Sequence, residues 1–307
     1  MLSQWNSIMV GVADLDAALA LWVDAIGFKV LNKFIGDDIG LGRQWNLQSS
    51  SFSRQAVLGK MDDTFGKLHL VEMHHPGPSV RKGAAVTDSC IKNIDIYVTD
   101  IEKRIVDLQA RGYDFRSATH SEVVAPDGTR FREIHLEIHD VINLVLLELP
   151  DKNFSFNQQG FGSIGPIVSV VQDVAQEKKF YREVLGLEML TDNFLQGEEV
   201  EKMIGLPSGS ALDVSIWGRQ DKESAQLELV EYVGVEGKTL FPLSKLPNSG
   251  LHQVCYQTKE AALLASRANS MGLSTFQCGK IETLAGSGEC WTLYSPAGMR
   301  IDLLSPS

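Results

Sequence analysis

The chain has 307 residues and a mass of 33.8 kDa, with 44% hydrophobic and 22% charged residues, so ordinary domain sizes predict about two domains. No apolar run in the sequence is long enough to cross a bilayer, which excludes a membrane-spanning class of protein. The formal net charge of −11 is spread without basic patches. Because such a chain would repel phosphate backbones, nucleic acid is not the expected partner.

The first residues and the cysteines indicate a cytoplasmic protein. The amino-terminal segment has no basic region and meets Asp14 and Asp16 where the apolar core of a secretion signal would continue. The cysteines show neither CxxC spacing nor a disulfide pattern, which favours a reducing compartment. We expect a small-molecule substrate as the partner, and a homodimer is one of the assembly states that the sequence permits.

The predicted elements follow one another in chain order as four similar modules. After a short β-rich run, the apolar spacing predicts a helix over residues 15–26 that ends at Gly27, a residue suited to a left-handed helix cap. The same series recurs with helices over residues 100–111, 174–185 and 260–271, followed by Gly112, Gly186 and Gly272. More strands follow every helix, which places the modules at about 1–77, 90–150, 163–235 and 249–307.

An internal duplication relates the two halves of the chain. The segment SIMVGVADLDAALALWVDAIGFKVL, which starts at Ser7, aligns with PIVSVVQDVAQEKKFYREVLGLEML, which starts at Pro166, an offset of 159 positions (166 − 7). The same offset aligns the sequence LHL at 68–70 with LEL at 227–229. One half is therefore a duplicate of the other.

A strand, a helix ending in Phe-Gly or Leu-Gly and three further strands resemble the modules of the vicinal oxygen chelate superfamily, which includes glyoxalases, bleomycin-resistance proteins and extradiol dioxygenases. The resemblance covers nearly the whole chain and rests on VADLDAALALWVDAIGF, VQDVAQEKKFYREVLGL, GLHQVCYQT and YSPAGMRIDLL. It implies an α+β fold of four βαβββ modules in two similar halves, each half a curved mixed β-sheet cup with outer helices. We therefore expect a structural glyoxalase-like domain at 1–150 and a ligand- or metal-binding one at 160–307.

The resemblance also implies that metal ligands come from the first and last strands of each module, where side chains alternate between the cup and the helix-packed face. The corresponding residues are Ser7, His69, Asn93 and Val145 in the first half, and Pro166, Glu228, His252 and Asp302 in the second. Only the second set offers two carboxylates and an imidazole. We expect Glu228, His252 and Asp302 to hold a divalent ion such as Mn, Zn, Mg or Fe in the C-terminal cup.

The same resemblance assigns the other candidate site residues. Glu228 and His252 are the candidate catalytic residues, with Glu228 as a proton acceptor. The substrate is expected to contact polar and aromatic strand residues, because aromatic side chains supply much of the contact area of ligand cups. These substrate-binding candidates are Trp217, Trp291, Thr292 and Tyr294.

Three alternatives stay open. In a metal-free cup, His252 and Glu228 are ordinary polar strand residues. Pairing of module 1 with module 4, rather than of neighbouring modules, would place His69 beside His252 and Asp302. A site in the N-terminal half would use His69 and His135, since His135 lies on a predicted strand that could line that cup.

The expected function is metal-assisted proton transfer, as an isomerase, epimerase or lyase, on an oxygenated and partly apolar substrate. The alternatives are a metal-free binding or resistance protein and an extradiol-type dioxygenase. The dioxygenase fits the residues less well, because its first histidine would fall on Pro166 and its second-sphere tyrosine on Thr292.

Overall fold

The computed structural model describes residue 2, residues 4–60 and residues 63–306, and these form four modules as predicted. Module 1 consists of β1 (Ser7–Val12), α1 (Leu15–Leu19), β2 (Lys29–Ile35), α2 (Ile39–Trp45), β3 (Phe52–Gly59) and β4 (Lys67–Met73). Module 2 consists of β5 (Ile91–Val98), α3 (Ile101–Gln109), β6 (Ser121–Val124), β7 (Arg130–Glu137) and β8 (Asn143–Glu148). Short 3-10 turns follow β7 at His139–Val141 and precede β3 at Ser49–Ser51.

The second half repeats this series. Module 3 consists of β9 (Phe161–Val171), α4 (Val174–Phe180), β10 (Glu188–Gln196), α5 (Glu198–Ile204), β11 (Ala211–Gly218) and β12 (Gln226–Val233). After a 3-10 turn at Phe241–Leu243, module 4 consists of β13 (Gly250–Gln257), α6 (Ala261–Ser270), β14 (Thr275–Thr283), β15 (Gly286–Tyr294) and β16 (Arg300–Ser305).

All four predicted helices are confirmed. Helices α1 and α4 continue as π-helical turns at Ala20–Ala25 and Tyr181–Leu185, and Gly27 and Gly186 follow them with φ angles of 86° and 66°. This left-handed conformation is the one that glycine adopts without strain. Two further helices, α2 and α5, were not predicted; they stand at equivalent positions of modules 1 and 3.

The strands form two eight-stranded mixed sheets, each curled into a cup, which confirms the α+β architecture of curved mixed sheets. The strand orders are β14-β15-β16-β13-β1-β4-β3-β2 and β10-β11-β12-β9-β5-β8-β7-β6. The first sheet therefore joins modules 1 and 4 and is called cup 1/4 here, and the second joins modules 2 and 3 and is called cup 2/3.

The pairing of the modules corrects our expectation of one cup per half. The two seams are the antiparallel pairs β1 with β13 and β5 with β9, so each cup takes one module from 1–150 and one from 160–307. A short linker, 149–160, leads from β8 to β9 within cup 2/3, whereas the longer linkers 74–90 and 234–249 cross between the cups. Each sheet therefore contains strands of both halves of the chain.

The strands place alternate side chains in the core and in the cups. Leu227 and Leu229 belong to a hydrophobic core that includes residues of all four modules, while Glu228 between them faces cup 2/3. Among the described residues, no helix is long and apolar enough to span a membrane.

Candidate functional site

Cup 1/4 is filled by its own helix α2. Leu41 of this helix packs in a cluster with Met9, Phe52 and Val71 on the cup face. The space that remains beside His69 has a volume of only about 10 Å³. This is about the volume that one water molecule needs, so cup 1/4 cannot take an organic ligand without movement of α2.

Asp302, one of the predicted metal ligands, is already neutralised inside cup 1/4. Arg300 Nε donates to Asp302 Oδ1 over 2.9 Å, and Arg300 Nη2 donates to Oδ2 over 3.1 Å. Gln44 Nε2 and Thr292 Oγ1 donate to the same carboxylate over 2.6 and 2.7 Å. The Arg300 guanidinium also stacks 3.8 Å from the centre of the Trp45 ring. This buried, fully bonded ion pair has no need of a metal ion.

The two histidines of cup 1/4 are likewise engaged within the protein. His69 Nε2 lies 2.9 Å from Oε1 of Gln55, and His252 Nε2 lies 2.7 Å from the backbone oxygen of Asn248. Burial lowers the pKa of each imidazole to about 4, so both are neutral at physiological pH. We assign both histidines to the packing of cup 1/4.

The predicted substrate-binding residues do not meet at one site. Trp217 is fully buried and donates through Nε1 to Ser215 Oγ over 2.9 Å, which makes it a core residue. Trp291 packs against the same core, whereas Tyr294 is 36% exposed on the same strand. Thr292 donates a hydrogen bond to Asp302, as described above.

Cup 2/3 holds a cavity of about 360 Å³, within the range of small-molecule sites. Its covering helix is α5, the counterpart of α2, which buries only Val200 and carries three glutamates in its first turn. One wall of the cavity is apolar and includes Val168, Leu195, Leu212 and Val230. Met203 and Ile204 of this helix line the cavity and leave it open.

Next to these apolar residues, the same sheet carries a cluster of ionisable groups from both halves of the chain. Asp95 on β5, Glu133 and His135 on β7, and Glu228 on β12 line the cavity. His135 Nε2 lies 2.8 Å from Glu133 Oε1. Asn143 Nδ2 lies 3.0 Å from His135 Nδ1, so the amide donates there and leaves the imidazole Nε2–H to bind Glu133.

Burial shapes the electrostatics of this cluster. Desolvation and, after it, the negative charge of Glu133 raise the pKa of Glu228 to about 8. Desolvation and the charges of Glu228 and Glu133 hold the pKa of Asp95 well above its usual range. Asp95 is 5% exposed, and its Oδ1 has no hydrogen-bond partner. At neutral pH, Glu228 is therefore mainly a neutral carboxylic acid, and burial shifts Asp95 in the same direction.

Tyr232 is another polar residue that lines the cavity. Lys92 Nζ donates to the Tyr232 hydroxyl over 2.5 Å and to the Val86 carbonyl over 2.8 Å. Burial and the nearby charge of Arg81 lower the pKa of Lys92 to about 7. Lys92 is thus held by Tyr232 and Val86 and does not form an ion pair with the carboxyl cluster.

The donor chemistry does not fit a family-type metal in either cup. In cup 2/3 the four family positions are Asn93, Val145, Pro166 and Glu228; all four line the cavity, but only Glu228 is a usual metal ligand. In the described part of the chain, no group of three or more His, Cys, Asp or Glu side chains is arranged to hold a metal ion. The predicted set is also split, since Glu228 lies in one sheet and His252 and Asp302 in the other.

The other sequence candidates are divided in the same way. Modules 1 and 4 do pair, as in one of our alternatives, but His69 and Asp302 bind protein groups there. His69 and His135 lie in different cups and cannot form one site. Asp95 and Glu133 were not among the candidates. Asp95 lies between Ile94 and Ile96, and Glu133 begins the alternating run Glu-Ile-His-Leu at 133–136, a pattern that predicts a cup-facing position.

With its paired modules and curled mixed sheets, the chain has the fold found in members of the vicinal oxygen chelate superfamily, as the resemblance implied. Glyoxalase I from Zea mays superposes with a TM-score of 0.66 at 15% identity, over 99% of this chain and 92% of that chain. A Bacillus subtilis protein described provisionally as a dioxygenase superposes with a TM-score of 0.60 at 8% identity, over 99% of this chain and 85% of that chain. At these identities the likeness shows the shared fold alone. No family model and no curated protein matches the sequence significantly.

Proposed function

We propose that this chain is a metal-independent enzyme that binds a small, oxygenated and partly apolar molecule in cup 2/3 and exchanges a proton with it through Glu228. The observation that carries the proposal is the position of Glu228. This half-buried residue lines the cavity together with Asp95 and lies next to the apolar lining residues Val168 and Val230. A pKa of about 8 suits general acid or base catalysis, because such groups work best when their pKa lies near the operating pH.

The carboxyl cluster offers two complementary roles. As a neutral acid, Glu228 donates a hydrogen bond to a substrate oxygen, as a neutral buried carboxylic acid does in known oxyanion sites. As a carboxylate, it accepts a proton from a carbon next to that oxygen. Glu133, oriented by His135 Nε2, keeps a negative charge close to Glu228 and thereby sets its proton affinity. Isomerisation, epimerisation and elimination are the reactions that such a proton transfer serves.

We favour this form over the metal-assisted one because the cup 2/3 positions supply one metal ligand instead of three or four. Ring cleavage by an iron dioxygenase is disfavoured on the same chemical ground. In cup 1/4, His69, His252 and Asp302 are bonded to protein groups, and among the described residues His135 is the one histidine that lines the cavity of cup 2/3.

A second function, sequestration of a small molecule without chemistry, is supported by the apolar wall of the cavity. Met203, Ile204 and Val214 also line the cavity and pack against the apolar residues of this wall. A ligand held mainly by apolar contact would bind without proton exchange.

Deuterium exchange into carbon acids tests the proposal. Chelator-treated protein is incubated in heavy water with a panel of ketones, keto acids and hydroxy ketones, and the loss of C–H signals is followed by NMR. We expect catalysed exchange for some panel members in the wild type and a loss of about 100-fold or more in Glu228→Gln. Glu289→Gln, an exposed residue of β15 in the other sheet, is the control with the same charge change. Exchange that survives in Glu228→Gln, or that appears only with added metal, would contradict the proposal. Binding without exchange supports sequestration.

A further inference from the structure

The ionisable groups that line cup 2/3 are predominantly acidic. Three of them form the inner cluster of Asp95, Glu133 and Glu228, with His135 bound to Glu133. The remaining charged lining residues are exposed or half-exposed and therefore stand towards the mouth: Asp127, Lys152, Lys222 and Glu223. Lys222 lies 3.3 Å from Asp221, so its charge is already paired outside the cavity.

The inner carboxyl groups have no cationic partner. Neither Asp95 nor Glu228 forms an ion pair with a lysine or arginine of the described chain, and Lys92 is engaged by Tyr232 and Val86. Asp95 lines the cavity, and its buried Oδ1 accepts no hydrogen bond. Buried carboxyl groups are normally paired or bound to a cation, because desolvation of an unpaired charge is costly. The free oxygen therefore points to a ligand that supplies a donor and a positive charge.

The walls around the cluster suit an organic cation better than a metal ion. Tyr97, two residues after Asp95, stacks on Phe154 with ring centres 4.1 Å apart, and Phe131 and Tyr232 also line the cavity. Aromatic faces attract ammonium groups, and the aliphatic wall accommodates an apolar body. As shown above, the protein donors do not form a metal site.

We infer that cup 2/3 selects an apolar organic ammonium ion, which pairs with the carboxyl groups of Asp95 and Glu228. The inference rests on the proposed function in assigning the ligand to this cavity, and it adds the charge class of the substrate. On binding, the ammonium group enters with its own protons and forms hydrogen bonds to the carboxylates. One carboxyl group releases its proton to solvent, so no bond of the ligand is broken. Binding thereby converts Glu228 to the form that accepts a proton from carbon.

Three isosteric probes test the charge preference without any variant: phenylpropylammonium, phenylpropanol and phenylpropanoate. Calorimetric titration of the wild-type protein at neutral pH, in two buffers of different ionisation enthalpy, measures both affinity and proton release. We expect the ammonium probe to bind at least about tenfold more tightly than the alcohol, with the carboxylate weakest. We also expect its binding heat to depend on the buffer because protons are released.

Two variants locate the effect. Asp95→Asn and Glu228→Gln keep the shape of the cavity, and we expect each to reduce the preference for ammonium over alcohol to about threefold or less. Glu289→Gln is the control for net charge. An alcohol that binds as tightly as the ammonium ion, no buffer dependence, or no ammonium binding at millimolar concentration would overturn the inference. The proposed function and this inference can fail separately. Ammonium selectivity without deuterium exchange would mean that the chain is a cation-binding protein and not an enzyme. Exchange on neutral compounds without ammonium selectivity would mean that it is an enzyme with another class of substrate.

Discussion

Asp95 and Glu228 line the same cavity although β9 lies between their strands, and the charge of Glu228 contributes to the raised pKa of Asp95. The two residues come from different halves of the duplicated chain. The carboxyl cluster therefore exists only because module 2 pairs with module 3. Such a cluster destabilises the folded protein while it is unpaired, and proteins commonly accept this cost at functional sites.

Glu177 predicts a pH dependence of stability at the junction of modules 3 and 4. Its Oε1 accepts hydrogen bonds from Ser295 Oγ over 2.9 Å and from the backbone nitrogen of Ala297 over 2.5 Å. Burial raises its pKa from 4.5 to about 7. The folded state therefore holds a proton that the unfolded state releases, so this contribution to stability falls as pH rises from about 4.5 to about 7 and is level above.

We expect Glu177→Gln to reduce the fall in unfolding free energy between about pH 5 and about pH 8 by roughly 1–3 kcal/mol, measured by urea denaturation. Glu183→Gln, on the exposed side of the following turn, should leave the pH profile unchanged. A profile of Glu177→Gln that parallels the wild type would show that this carboxyl titrates normally.

The Arg300–Asp302 pair predicts a large stability effect without loss of ligand binding. Arg300→Met leaves the Asp302 carboxylate buried without its cation, and we expect a loss of about 3–5 kcal/mol in unfolding free energy. The double variant Arg300→Met/Asp302→Leu removes both charges and should recover most of that loss. A single variant within about 1 kcal/mol of the wild type would mean that the pair is solvated, contrary to its burial.

A substitution at Gly40 tests whether α2 packs inside cup 1/4. Helix propensity alone predicts that Gly40→Ala stabilises the protein by up to about 1 kcal/mol. However, an added Cβ would lie 1.8 Å from the backbone oxygen of Glu282 on β14. We therefore expect a net loss of about 1–3 kcal/mol, measured by thermal unfolding. Ile39→Ala, at an exposed position of the same helix, is the matched control, and a stabilised Gly40→Ala would show that α2 does not pack there.

Much of the fold could be predicted because its signals are local. Apolar spacing and a following glycine were enough to place the helices that end near Gly27 and Gly186. Alternation along a strand was enough to place Glu228 in a cup between Leu227 and Leu229. These features depend on a few neighbouring residues and on the duplication of the chain.

The pairing of the modules could not be read from the repeat, because four similar modules have similar seam strands. The linker lengths were the available signal, since 149–160 is the shortest and joins the modules that share a sheet. Which cup is open depends on α2 and α5. Helix α5 has an acidic first turn from Glu198 onward and buries only Val200, whereas α2 buries Leu41 and Gln44. Helices α2 and α5 were not predicted from the sequence, because they are short and have no clear apolar period.

The most direct test is an NMR titration of the Glu228 carboxyl carbon in protein labelled with carbon-13 at the glutamate carboxyl groups. The resonance that is missing in Glu228→Gln assigns the residue. We expect the Glu228 carboxyl group to titrate with a midpoint near pH 8. Phenylpropylammonium should move this midpoint to lower pH, and chelator should leave it unchanged. A midpoint near the ordinary value of 4.5 would mean that Glu228 is a solvated carboxylate, and it would contradict the assignment of cup 2/3 as a proton-transfer site.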